Sequence, residues 1–120
     1  MKKIVLISFI VNFMIADYAS DIQPIFDSNC TSCHGYPNQY GDLILFSYDD
    51  LMNGGESGDV VIPYDGAESL LWQYIDSGYM PPYGSGFAPL TVEQISLIED
   101  WINDGANETD SVAGCTDPNA

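Results

Sequence analysis

Two thiols and an imidazole fall within five consecutive residues, Cys30-Thr31-Ser32-Cys33-His34, and whatever the chain folds into must use that spacing. Thiols three positions apart can both reach one edge of a flat prosthetic group, and the histidine beside the second thiol is then swung under its centre. This is the attachment pattern of c-type haem. Cysteine and histidine are scarce enough that the pattern arises by chance in roughly one chain per thousand of this length. Three other chemistries draw on the same residues. A thioredoxin-like redox pair belongs at a strand-to-helix junction in an α/β pattern, which the chain lacks. Zinc wants four ligands, whereas the chain has three cysteines and one histidine, with Cys115 near its far end. A plain disulfide leaves the adjacent histidine without a role. The expected cofactor is therefore one haem c, joined by thioether links through Cys30 and Cys33, with His34 on the iron.

At 120 residues the chain has room for one domain. Met1-Lys2-Lys3 opens a basic start, residues 4–16 are apolar apart from Ser8 and Asn12, and acidic sequence follows. That is the layout of a secretory signal peptide, assigned to residues 1–19 with cleavage near 16–19. The run is short for a bilayer span, so a permanent anchor is the lesser alternative. Cutting after Ala16 puts Met14 at the third position back, and cutting after Ala19 puts Asp17 there; neither is a small-x-small site. The domain is then 20–106, with 107–120 a polar tail. Export predicts a periplasmic or extracellular protein with no stable membrane insertion once the leader is gone. The only two basic residues are Lys2 and Lys3, while all 18 carboxylates follow the apolar run. So anionic a product is a poor partner for nucleic acid and is complementary to a redox protein with a basic docking surface.

Haem iron has a second axial position. Met1 and Met14 belong to the leader, which leaves Met52 and Met80. Met80 lies on Tyr79-Met80-Pro81-Pro82-Tyr83, a stretch stiffened by adjacent prolines. Met52 sits in a short capped turn, where a thioether packs as core filler. Met80 is the expected ligand, against Met52 or an open position. With both positions filled no substrate reaches the iron, which predicts electron transfer and no enzyme activity. An open position would suit small-ligand sensing or peroxide chemistry, although no second histidine exists to assist it. The outer ring nitrogen of His34 is expected to donate to a backbone carbonyl of residues 35–37.

The remaining pattern is helical. Residues 20–30 read as a helix capped by Ser20, with Gln23 completing a capping box, Pro24 in the first turn, and Ile22, Ile25 and Phe26 on one face. Ser47 caps a turn stopped by Gly54-Gly55, and residues 67–76 repeat Leu70, Leu71, Tyr74 and Ile75 at helical spacing before Gly78. Thr91 and Gln94 cap a last helix whose stripe is Val92, Ile95, Ile98, Trp101 and Ile102, ended by Gly105. The expected cofactor walls are Leu43, Leu45, Phe46, Leu70, Leu71, Trp72, Tyr74, Ile98, Trp101 and Ile102. A domain this small needs the cofactor as part of its core, so the haem-free chain is expected to be largely unfolded.

Cys30-Thr31-Ser32-Cys33-His34-Gly35, the Met80-Pro81-Pro82 loop and the closing amphipathic helix together resemble the class I c-type cytochrome domain. The stretch from Ser47 through Gly54-Gly55-Glu56-Ser57-Gly58 to Val61-Ile62-Pro63 is similar to the subgroup found in exported proteins of planctomycetes and Bacteroidetes. The resemblance spans about residues 21–105. It implies an all-α fold of three to four short helices around one haem, with His34 and Met80 as axial ligands. The absence of lysine after Lys3 departs from relatives that present a basic ring, and implies a partner of the opposite charge. Gly114-Cys115-Thr116-Asp117-Pro118-Asn119-Ala120 resembles the start of acidic disulfide-bearing repeats of secreted multidomain proteins, which implies a redox module of a longer cell-surface chain.

Overall fold

The N-terminal helix starts earlier than the sequence suggests, and its cap is Asp17 rather than Ser20. In the computed structural model, which describes residues 16–109, the Asp17 carboxylate accepts from the Ser20 amide at 3.0 Å and the Ser20 hydroxyl at 2.9 Å. The Asp17 amide in turn donates to Asp21 Oδ2 at 2.8 Å. A π-helical turn, Tyr18–Ile22, leads directly into α1, Gln23–Asn29. Its width has a cause in the sequence. Pro24 has no N–H to offer the carbonyl of Ser20, and the Gln23 amide instead reaches back five residues to Tyr18. Ile22, Ile25 and Phe26 are buried on one face, as their spacing requires. Residues 1–15 of the leader fall outside the described residues, as do Cys115 and most of the tail.

Three further helices complete the fold. α2, Tyr48–Asn53, is capped by Ser47, whose hydroxyl accepts from the Asp50 amide at 3.1 Å, and it ends at Gly54. The turn beyond closes where Gly55 and Gly58 exchange backbone hydrogen bonds, and the Glu56 amide ties it to the Gly41 carbonyl at 2.7 Å. α3, Leu70–Asp76, begins at Ser69, a fully buried hydroxyl that accepts from the Ile62 amide and donates to the Asp65 carbonyl. α4, Val92–Asn103, has the expected capping box between Thr91 and Gln94. Its stripe is narrower than the periodicity implies: Ile98, Trp101 and Ile102 are buried, but Val92 is 76% exposed because nothing packs on the first turn.

The ends of the domain meet. The ring of Tyr18 lies 5.3 Å from that of Trp101, 5.3 Å from Tyr48 and 6.4 Å from Phe26. Trp101 Nε1 donates to the Asn107 carbonyl and the Tyr48 hydroxyl to that of Ala106, so the chain leaving α4 is pinned under the same aromatic group. No strand occurs among the described residues, and the architecture is all-α. None of the described helices is long and apolar enough to cross a membrane.

Candidate functional site

The turn that follows α1 carries the clustered thiols and imidazole. Cys30 is the C-cap of α1, its amide donating to Phe26, and the amides of Cys33 and His34 both return to the Cys30 carbonyl at 3.1 and 3.0 Å. This tight winding gathers three functional side chains at one helix end. His34 is then fixed by its backbone: its carbonyl accepts from the Leu45 amide at 2.8 Å, and the flanking hairpin closes through Tyr40 N–H to the Cys33 carbonyl at 3.0 Å.

Two adjoining hollows open beside this turn. The larger, about 280 Å³, has apolar walls from Leu43, Leu45, Val60, Leu70, Leu71 and Ile75. The smaller, about 240 Å³, reaches Cys33, Pro81, Pro82 and Phe87. Cys30, His34, Tyr40 and Met80 line both. The two parts together form an apolar slot within the range of cofactor-sized sites, roughly 300–1,000 Å³, with an imidazole, a thioether and two thiols on its walls. Met52 is absent from this lining and packs half-buried against the core.

Several predicted walls lie elsewhere. Ile98, Trp101 and Ile102 are buried in the layer behind the slot and touch neither hollow, because α4 packs against Tyr18 and α3. Phe46 is 45% exposed and lies against Tyr36, with a ring separation of 5.9 Å. Trp72 also leaves the lining, and its buried Nε1 has no hydrogen-bond partner. Val60, Ile75, Tyr40 and Tyr79 take those places. The Val60-Val61 pair was a readable signal, an apolar couple in a polar stretch; Tyr40 and Tyr79 carried none.

The site chemistry separates the competing readings. No disulfide joins Cys30 and Cys33. Burial, with Cys33 beside it, pushes the Cys30 thiol up to about 12, so it stays protonated near neutrality and is neither a ready nucleophile nor a ready metal ligand. Among the described residues no cluster of three His, Cys, Asp or Glu side chains could hold a metal ion. Nδ1 of His34 is buried without a partner. The expected bond to a carbonyl of residues 35–37 is not made, since that loop closes on itself through the Gly35 amide and the Asn38 carbonyl at 2.8 Å. A buried unpaired ring nitrogen costs about 1–3 kcal/mol. The donor set of two unpaired thiols, one imidazole and one thioether around an apolar slot fits a covalently attached haem.

The helical fold and this slot define a c-type cytochrome domain. Residues 30–84 match the model of the family described as planctomycete cytochrome C. Over that segment the chain is similar to the planctomycete cytochrome C family, a likeness that implies a covalently bound haem c with its iron, and Cys30 and Cys33 fit a CxxCH-type attachment motif. No curated protein and no solved structure matches the chain significantly.

Proposed function

We propose that the chain is a monohaem electron carrier that works outside the cytoplasm, in which His34 and Met80 would be the side chains that hold the iron. The observation that carries this reading is the position of Met80: it lines both parts of the slot together with His34 and Cys30. Cys30 and Cys33 would hold the porphyrin edge through thioethers. The haem, when bound, supplies a one-electron ferric–ferrous couple. The protein's own residues do the rest. Leu45, Val60, Leu71 and Ile75 exclude water, while the backbone of residues 30–34 fixes the imidazole. The Met80 amide, donating to the Tyr74 carbonyl at 3.0 Å, holds the thioether loop against the end of α3.

Electron transfer is favoured over catalysis because the slot holds no second histidine that could move protons beside the iron-binding one. His34 is the one histidine of the chain, and Glu56 is the carboxylate on the lining. The partner inferred is a redox protein with a basic surface, because the described residues contain no lysine or arginine. Nucleic acid is repelled by the same charge, and neither catalysis nor lasting membrane insertion is part of the role. Export is supported by the leader-like start of the sequence.

The test is the visible spectrum of protein coexpressed with a haem-attachment system, for the native chain, Met80→Ala and Met52→Ala. The expected result is a low-spin c-type spectrum indifferent to carbon monoxide, with a weak far-red sulfur-to-iron band that Met80→Ala removes and Met52→Ala keeps. A high-spin native spectrum that shifts with carbon monoxide would move the function to ligand binding or catalysis. Absence of covalent haem would defeat the proposal.

A further inference from the structure

The first residues of the fold constrain where an exported precursor is cut. Tyr18 is 3% exposed, with Phe26, Tyr48 and Trp101 around its ring. Its hydroxyl donates to Gln23, whose amide in turn donates to the Leu45 carbonyl at 2.8 Å, beside the slot. Asp17 caps the turn that carries this ring. Cleavage after Ala19 would therefore remove the cap and the central aromatic residue of the core, whereas cleavage after Ala16 removes one buried methyl group.

We propose that the leader is removed at the Ala16–Asp17 bond. This rests on the exported reading above. Hydrolysis adds water across that amide, leaving a carboxylate on Ala16 of the leader and a free amine on Asp17. The bond has the better recognition residues of the two candidates: alanine precedes both cuts, but the third position back is apolar Met14 here and charged Asp17 for the later cut. The new terminus also suits its surroundings. The Asp17 nitrogen already donates to Asp21 Oδ2 at 2.8 Å. As an ammonium group it would make that bond charge-assisted, and no lysine or arginine among the described residues offers Asp21 an alternative.

The experiment expresses the full chain with export and haem-attachment machinery, then reads the N-terminus and intact mass of the haem-bearing product. A chain beginning at Asp17 is expected, and one beginning at Ser20 would overturn the assignment. In a second measurement, chains starting at Asp17 and at Ser20 are exported behind a foreign leader and melted. The shorter chain should lose at least about 10 °C in Tm, or yield no folded protein; equal melting would overturn the structural argument. Haem-bearing protein that still begins with Met1 would overturn the cut while leaving electron transfer intact. Haem-free protein that begins at Asp17 would support the cut and defeat the electron carrier.

Discussion

Gly35 lies under the ring of Phe46 with no space between them. A methyl group at Gly35 would come within 2.6 Å of Phe46 Cζ and 2.7 Å of the Thr31 carbonyl oxygen. The ring could swing away, since Phe46 is 45% exposed, but the carbonyl belongs to the turn that positions Cys33 and His34. Gly35→Ala is expected to cost about 1–3 kcal/mol, and adding Phe46→Leu should recover only part of it. Thermal melting of the haem-loaded variants measures both. Full recovery in the double variant would show that the ring alone sets the limit.

Alkaline stability should be governed by the aromatic cluster. Burial raises the phenols of Tyr18 and Tyr48 above the ordinary tyrosine range, with nearby carboxylates adding to it. A raised acid favours its neutral form in the folded state. The stability it contributes is therefore present below the unfolded value of about 10 and is lost as pH rises beyond it. The haem-loaded protein should unfold above about pH 10, and Tyr18→Phe should move that midpoint upward while lowering stability at neutral pH by about 1 kcal/mol for the lost bond to Gln23. An unchanged alkaline midpoint in Tyr18→Phe would assign the transition to another group.

Removal of the cofactor should collapse the fold. An empty cavity of about 280 Å³, at ~24 cal/mol per Å³, would cost up to about 7 kcal/mol. The slot opens to solvent, so that figure is an upper bound, to be set against the ~5–15 kcal/mol that stabilises a typical domain. Circular dichroism of chain expressed without haem attachment, or of a Cys30→Ala/Cys33→Ala variant, is expected to show low helicity and no cooperative melt. A haem-free chain that melts cooperatively would place the core elsewhere, in the cluster of Tyr18, Phe26, Tyr48 and Trp101.

The attachment motif and three of the four helices, two of them with their caps, were readable because local chemistry decides them: Ser47, Thr91 with Gln94, and the glycine stops act on neighbouring residues, whereas α3 starts at Leu70, three residues later than its periodicity suggests. What was not readable depends on distant partners. Asp17 caps the first turn because Tyr18 is drawn into a cluster completed by Trp101, more than 80 residues away. The periodicity of α4 showed that Ile98 and Ile102 are buried, but not that they lie in the layer behind the slot rather than on its wall. Phe46 looked like a wall because it follows the attachment site together with Leu43 and Leu45; Leu45 is buried on the slot, whereas the Phe46 ring lies outside it against Tyr36. The adjacent prolines singled out Met80 in the sequence, and its place on both halves of the slot rests on the Met80–Tyr74 backbone bond.

The charge distribution gives the last prediction. With a formal net charge of -16 and its only lysines at positions 2 and 3, the protein attracts cations over a distance set by salt, about 30 Å at 0.01 M and about 8 Å at 0.15 M. Glu56, on the lining of the larger hollow with the exposed Tyr40 and Tyr79, puts a carboxylate at the site itself. Oxidation of the reduced protein by tris(phenanthroline)cobalt(III), a cation, should slow severalfold as salt rises through that range, while oxidation by ferricyanide should quicken. Glu56→Gln should slow the cationic reaction with little change in stability, and a carboxylate substitution far from the slot, such as Glu93→Gln, should have a smaller effect. If both oxidants responded to salt in the same direction, or if Glu93→Gln matched Glu56→Gln, the partner would not be docking through charge at this face.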